Sequence, residues 1–276
     1  MWFAAPYVAL RVVGLGLYSR VLWVTPEGRK AITLFATLSS GGLAAVLMGA
    51  YAGEQQVMFW ALAIFLDVIA ALIAGGHIGW GLHPEHFAER HGLIVIIALG
   101  ESLIVAAGGL SGAERSGDLL LVGFLAVAIT CGLWWTYFPV AKPELEHALT
   151  SARVEDQARV ARDSYSLGHF PMMCGIIAYA IAIEEAVAHP SDALPTEARV
   201  VLAIGLLLFV GGLAIALWRA SCSFKWTRVI ISLLTAAAIL ALTDVSAVVS
   251  LGLAFVGVAL VAFLEEKTAE RMQAAA

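Results

Sequence analysis

Stretches of roughly 20 apolar residues, broken by short charged or turn-rich interruptions, run from one end of the chain to the other. That is the pattern of helices crossing a hydrocarbon core of about 30 Å at about 1.5 Å of rise per residue. Bounding the runs by charges and turn residues predicts nine spans: Trp2 to Val24, Ala31 to Ala52, Val57 to Gly75, His91 to Leu110, Leu119 to Val140, Tyr165 to Val187, Arg199 to Trp218, Trp226 to Thr243 and Val245 to Leu264. From Val229 to Leu264 the only formal charge is Asp244. One helix over that stretch would be about 54 Å long, too long for a single crossing, so a tight turn near Thr243, Asp244 and Ser246 is expected.

Cytoplasmic loops are enriched in Lys and Arg, which orients the spans. With the N-terminus outside, thirteen of the sixteen basic residues fall at inner ends: Arg20, Arg29, Lys30, Arg90, Lys142, Arg153, Arg159, Arg162, Arg219, Lys225, Arg228, Lys267 and Arg271. Outer loops hold only Arg115 and Arg199, and Arg11 lies within a span. Trp23, Trp134, Trp135, Trp218 and Trp226 fall near the inner ends, as an aromatic belt would. The longest polar piece, Ala141 to Asp163, reads as a charged cytoplasmic helix that starts at Lys142, Pro143 and Glu144 and runs into the sixth span. The expectation is an all-α, polytopic transmembrane helix bundle, with its N-terminus outside, its C-terminus cytoplasmic and a single domain over residues 1–276.

Composition agrees. Of 276 residues, 61% are hydrophobic and 13% charged, about half the charged share of a soluble domain, which excludes disorder and a water-soluble enzyme built on one core. The net charge of −5 comes from 21 acids against 16 bases, and the bases are scattered among loops; no patch for nucleic acid results. Cys131, Cys174 and Cys222 stand singly in or beside apolar segments and read as packing residues. No basic region precedes the run from Trp2, and Arg11 interrupts it, so the first segment is expected to stay as a helix.

Three charges, Arg11, Asp67 and Glu101, fall near the middle of predicted spans, where an unpaired charge costs at least about 2.5–3.5 kcal/mol. They fit either a static salt bridge or a buried charge network on a proton or ion path. One arginine against two acids leaves an excess carboxylate. The densest polar stretch, His83 to Gly92, lies at the inner end of the fourth span. On a helix, His86, Arg90 and Glu101 share a face within roughly 60°, with Glu89 about 60° to the other side of His86. That ladder suits a proton route at a cytoplasmic mouth, or an interfacial cluster that anchors the helix. Asp163, Tyr165 and His169 precede Pro171 at the start of the sixth span, on the same side of the membrane.

His77, His83, His86 and His91, with Glu89, also invite a metal reading, but their spacing is not that of a zinc motif. No metal or cofactor is expected. A P-loop is missing, which excludes ATP hydrolysis by that motif, and all four lysines lie outside the span centres, which excludes a mid-membrane retinal Schiff base.

The segment from His86 to Glu101, HFAERHGLIVIIALGE, resembles the signature of the bacterial low temperature requirement A family, H-x-x-E-R-x-G-L followed by apolar residues and L-G-E. Asp163 to Met172, DSYSLGHFPM, is similar to a second stretch of that family, and Tyr7 to Arg11 and Asp67 sit where it carries similar residues. One departure is the absence of the family's acidic, Phe-rich first helix, so the chain resembles the family from about its fourth helix onward. The resemblance implies a multi-pass protein of the bacterial inner membrane, linked by name to growth in the cold, with His86, Glu89, Arg90, Glu101 and His169 as family polar positions.

Together these readings lead to a secondary transporter or channel-like protein for a small solute or ion, with proton coupling left open. A non-transporting adaptor or sensor of bilayer state, or an enzyme acting on a lipid through His86 and His169, are the alternatives. The lipid bilayer is the expected partner; the solute and the oligomeric state are not legible.

Overall fold

The computed structural model describes residues 2–76, 80–112, 116–222 and 224–275. His77 and Arg115 lie outside the described residues. Among these, helices make up the architecture, and the only strand-like pairing is an isolated antiparallel bridge between Ala193 and Ser246. Seven helical stretches are long and apolar enough to cross a membrane: Pro26–Gly49, Gly53–Ala74, Pro84–Leu110, Gly117–Ser151, Val154–Ala188, Thr196–Ser221 and Ala247–Lys267. The first and eighth predicted spans form as shorter or more polar helices, α1 (Ala4–Leu22) with Arg11 and Arg20, and α10 (Trp226–Ala241), 16 residues and about 24 Å long. The other helices are α2 (Pro26–Gly49), α3 (Gln56–Ala74), α4 (Pro84–Gly112), α5 (Gly117–Trp135), α6 (Lys142–Ser151), α7 (Val154–Val160), α8 (Gly168–Ala188), α9 (Thr196–Ser221) and α11 (Ala247–Ala275).

Helix ends follow local chemistry. Thr25 caps α2 by accepting from the Gly28 amide at 3.0 Å, and Pro26 occupies the first turn, where its missing N–H costs nothing. Ser116 caps α5 in the same way through the Leu119 amide. The expected turn after α10 forms between Ala241 and Ala247, and Arg199 closes it. Buried at 6% exposure, Arg199 donates to the carbonyls of Leu240 and Leu242 at 3.2 and 3.4 Å and so satisfies the orphan acceptors at the end of α10.

The charged stretch from Ala141 to Asp163 departs from the single helix expected. It is divided between two 35-residue helical stretches that meet at Ala152 and Arg153. Each stretch widens into a π turn, at Thr136–Ala141 and at Ala161–Leu167. Pro139 lies in the first and has no amide hydrogen, so the helix ladder shifts there: the Lys142 amide reaches back five residues to the Tyr137 carbonyl. The second turns three consecutive residues, Asp163, Ser164 and Tyr165, inward to 5% exposure or less.

Contacts group the residues into two compact units, Met1–Phe87 with Leu149–Leu167, and Ala88–Ala148 with Gly168–Ala276. In the first unit, α1, α2 and α3 pack around Ala4, Ala45, Val46 and Ala63. Gly49 leaves room for the Trp60 ring, and Gly42 lies against Asp67. In the second, α8 and α9 are the tightest pair, with Gly168 and Gly175 of α8 facing Gly212 and Gly205 of α9. The seven-residue spacing keeps each pair on one stripe, and the antiparallel backbones approach closely enough that a Cβ at Gly175 would lie 2.6 Å from the Gly205 carbonyl oxygen. By contrast α4 presents Leu93, Ile94, Ile96, Ile97 and Ile104 to its surroundings, each at least 45% exposed.

Backbone, not a movable side chain, opposes any side chain at Gly175. Gly175→Leu is therefore expected to cost about 1–3 kcal/mol or more, whereas Gly211→Ala, with nothing within 4 Å of its Cβ position, leaves stability unchanged or slightly raised. Thermal unfolding of the purified variants in detergent measures both, and equal melting temperatures would contradict the packing described.

Candidate functional site

Helix α1 places Tyr7 and Arg11 one turn apart, and both reach Asp67 of α3. The Arg11 guanidinium Nη2 lies 2.6 Å from Asp67 Oδ1, and the Tyr7 hydroxyl donates to Oδ2 at 3.4 Å. Ser39 of α2, fully buried, donates to the same Oδ1 at 3.2 Å and accepts from Arg11 Nη2 at 3.3 Å. Gly42, whose added Cβ would stand 3.3 Å from Oδ1, leaves the space this carboxylate occupies. Two helices thus supply one set of donors to one acid on a third, with the arginine and aspartate side chains 30% and 26% exposed. The arrangement neutralises both charges and ties α1 and α2 to α3.

Glu101 belongs to the second unit and stands apart from that set in its chemistry. It lines a groove of about 480 Å³ between α4 and α8, walled by Ile94, Ile97, Ala98, Val105, Ile176, Ile177, Ala180 and Ile181, with Glu184 as the only other charged wall residue among the described ones. The two helices run parallel in register: the ring of His91 lies beside that of His169, and Gly109 packs on Val187, each pair 78 positions apart. Both glutamates are exposed, and neither has a Lys, Arg or His partner among the described residues. Beside the groove, Ser102, Thr130 and Tyr179 form a buried chain: Ser102 Oγ is 3.4 Å from Thr130 Oγ1, which is 3.3 Å from the Tyr179 hydroxyl, and that hydroxyl donates to the Ala126 carbonyl at 2.7 Å.

The remaining predicted residues separate into buried and exposed positions. In the first unit, His83, Pro84, Glu85 and His86 line a cleft of about 330 Å³ with Thr150, the two imidazole rings 6.3 Å apart. Asp163 is buried and accepts from Arg162 Nε at 2.6 Å, while Arg162 Nη1 donates to the Leu72 carbonyl at 2.9 Å near the end of α3. Tyr165 is buried edge-on against Phe87, with ring centroids 5.7 Å apart. In the second unit His169 is buried, its Nε2 2.8 Å from the Tyr137 hydroxyl and its ring 5.2 Å from that of His91. Glu89 and Arg90 are exposed on α4. The two polar segments singled out in the sequence therefore do touch, through Phe87 and Tyr165 and through His91 and His169. Among the described residues no group of three His, Cys, Asp or Glu is placed to hold a metal ion.

The family model described as bacterial low temperature requirement A protein (LtrA) matches residues 1–263. The chain belongs to the low temperature requirement A family. Uncharacterized protein RA0937 of Rhizobium meliloti (strain 1021) is similar to it, 30% identical over 134 residues. The match covers 46% of this chain, which spans 31% of the length of that curated relative. No solved structure matches the chain.

For a low temperature requirement A protein, the structure adds residues that the sequence pattern did not single out. Arg228, counted above among the cations at inner ends of spans, is 1% exposed, with Nε 2.6 Å from Glu265 Oε1, joining α10 to α11. Glu144 accepts from Ser221 Oγ at 2.6 Å and lies 3.7 Å from Lys225 Nζ. Tyr137, Ser39 and Glu184 are the other additions. Tyr137 sits in an aromatic run and Ser39 in a small-residue run, where neither stands out. Glu184 lies four residues from the end of α8, where a charge is unremarkable; only its place on the same groove as Glu101 makes it notable.

Removing one partner of the Arg11–Asp67 pair leaves the other charge and its donors unsatisfied. Arg11→Met is expected to destabilise the chain by about 1–3 kcal/mol, with Asp67→Asn in the same background recovering part of the loss. A double-mutant cycle on unfolding in mixed micelles checks this, and additive effects of the two substitutions would show that the pair does not couple α1 to α3.

Proposed function

We propose that this protein is a secondary transporter or channel-like protein for a small solute or ion in the bacterial cytoplasmic membrane, and that Glu101 is its working carboxylate. The observation that carries this reading is the contrast between the acids within the spans. Asp67 is held by Arg11, Ser39 and Tyr7 and Glu265 by Arg228, whereas Glu101 has no cationic partner among the described residues and faces an open groove. A charge near the middle of a span costs about 2.5–3.5 kcal/mol or more. Glu101 escapes that cost by taking up a proton, by binding a cation or by contacting water, and each of these is a step that a transporter uses. Proton coupling through Glu101 follows from the same chemistry.

The distribution of Lys and Arg supports an N-terminus outside and, with it, a cytoplasmic start of α4 carrying His83 and His86. The lipid-enzyme alternative draws less support, because His169 is buried and bonded to Tyr137 rather than presented to a lipid.

In proteoliposomes with a pH-sensitive dye inside and an imposed potential, the wild-type chain is expected to carry a proton flux that Glu101→Gln reduces to the level of protein-free vesicles. Undiminished flux in a correctly inserted Glu101→Gln variant would remove this residue from the path.

A further inference from the structure

We infer that the α4–α8 groove is a binding site for a lipophilic organic monocation, a quaternary ammonium or phosphonium centre, or a protonated amine, carried on apolar substituents. The inference deepens the transport reading by naming the class of solute, and rests on it only for the step from binding to movement. Three observations select this occupant. The volume of about 480 Å³ falls within the range of about 300–1,000 Å³ of sites for small organic molecules. Its walls are aliphatic, with Ile97 and Ile177 each at least 60% exposed along it, which suits an apolar body and gives no hydrogen-bond donor for an anion. Among the described residues its charges are the two carboxylates of Glu101 and Glu184, neither of them neutralised by a described basic residue.

Depth distinguishes a free solute from a lipid headgroup. Glu101 lies 17 residues after Pro84 and 11 before Gly112 in a 29-residue helix, about 16 Å from the nearer end, so an ammonium fixed in the headgroup layer does not reach it. In the parallel register set by His91 with His169 and Gly109 with Val187, Glu101 is level with position 179, and Glu184 lies five positions further towards the helix end, about 8 Å along the axis. One acid thus stands near the rim and one deep in the groove. A cation passing from Glu184 to Glu101 stays near a carboxylate throughout, and its apolar body replaces lipid against the isoleucines.

Tetraphenylphosphonium and tetraphenylborate, nearly identical in shape and opposite in charge, test this by equilibrium dialysis against the purified full chain in detergent. Saturable binding of the phosphonium is expected, weakened at least about tenfold (1.4 kcal/mol or more) by Glu101→Gln and to a lesser extent by Glu184→Gln, with the borate binding at least as much more weakly. Ile177→Trp, at an exposed wall position, narrows the groove without removing a charge and is expected to abolish binding even if Glu101→Gln fails to fold. Equal binding of the two ions, as an apolar face covered by lipid or by a second copy of the chain would give, overturns the inference, as does phosphonium binding that survives both Glu101→Gln and Ile177→Trp. Flux assays on the same preparations separate the two claims. Proton flux without phosphonium binding rejects the cation site and leaves transport standing, whereas charge-selective binding without any flux establishes the site and rejects transport.

Discussion

Hydrocarbon solvates neither a charge nor an unpaired peptide group, and each polar atom carried into it needs a partner from the protein itself. The helices satisfy the backbone, and the side chains repair the places where helices end or bend. Arg199 closes the carbonyl end of α10, Arg162 reaches the Leu72 carbonyl near the end of α3, and the turn containing Pro139 recovers a bond by reaching one residue further back. The same constraint explains the ion pairs. Arg11 with Asp67 and Arg228 with Glu265 each join two helices through charges that would be costly alone.

Against that background Glu101, with Glu184 nearer the helix end on the same groove, has no counter-charge among the described side chains. Its position is matched by the packing around it. Glycines at Gly168, Gly175, Gly205 and Gly212 bring α8 and α9 into backbone contact, which makes one wall of the groove firm. The other wall, α4, keeps large aliphatic side chains exposed along much of its length. A firm wall facing a lightly packed helix can admit a molecule without breaking a core, and buried Ser102, Thr130 and Tyr179 fix the neighbouring helices α4, α5 and α8 by hydrogen bonds.

Much of the fold was legible because hydrophobic length and depth are properties of the sequence. The seven long apolar helices, the turn between Thr243 and Ser246 and the identity of Asp67 and Glu101 as charges within spans follow from run length alone, whereas α1, which carries Arg11, is not among those seven helices. Facing is different, because it depends on partners distant in sequence. Arg11 and Asp67 are 56 positions apart, and nothing local indicates that Ser39 stands between them. Arg228 lies near the start of α10, where a basic residue normally reaches the interface, so its burial against Glu265 is invisible until α11 folds back on it. The break at Ala152 and Arg153 escaped notice because the charges of Ala141 to Asp163 recur at helical spacing on both sides of it, and no proline or glycine marks the stop.

Within the spans, Glu101 is accessible and without a counter-charge among the described residues, whereas Asp67 is held by Arg11, Ser39 and Tyr7. Lipid-soluble N,N′-dicyclohexylcarbodiimide, which captures protonated carboxyl groups in apolar surroundings, reads this difference directly when the treated chain is digested and its peptides weighed. A stable adduct is expected at Glu101 and none at Asp67. An unmodified Glu101, or equal modification of Asp67, would contradict this contrast.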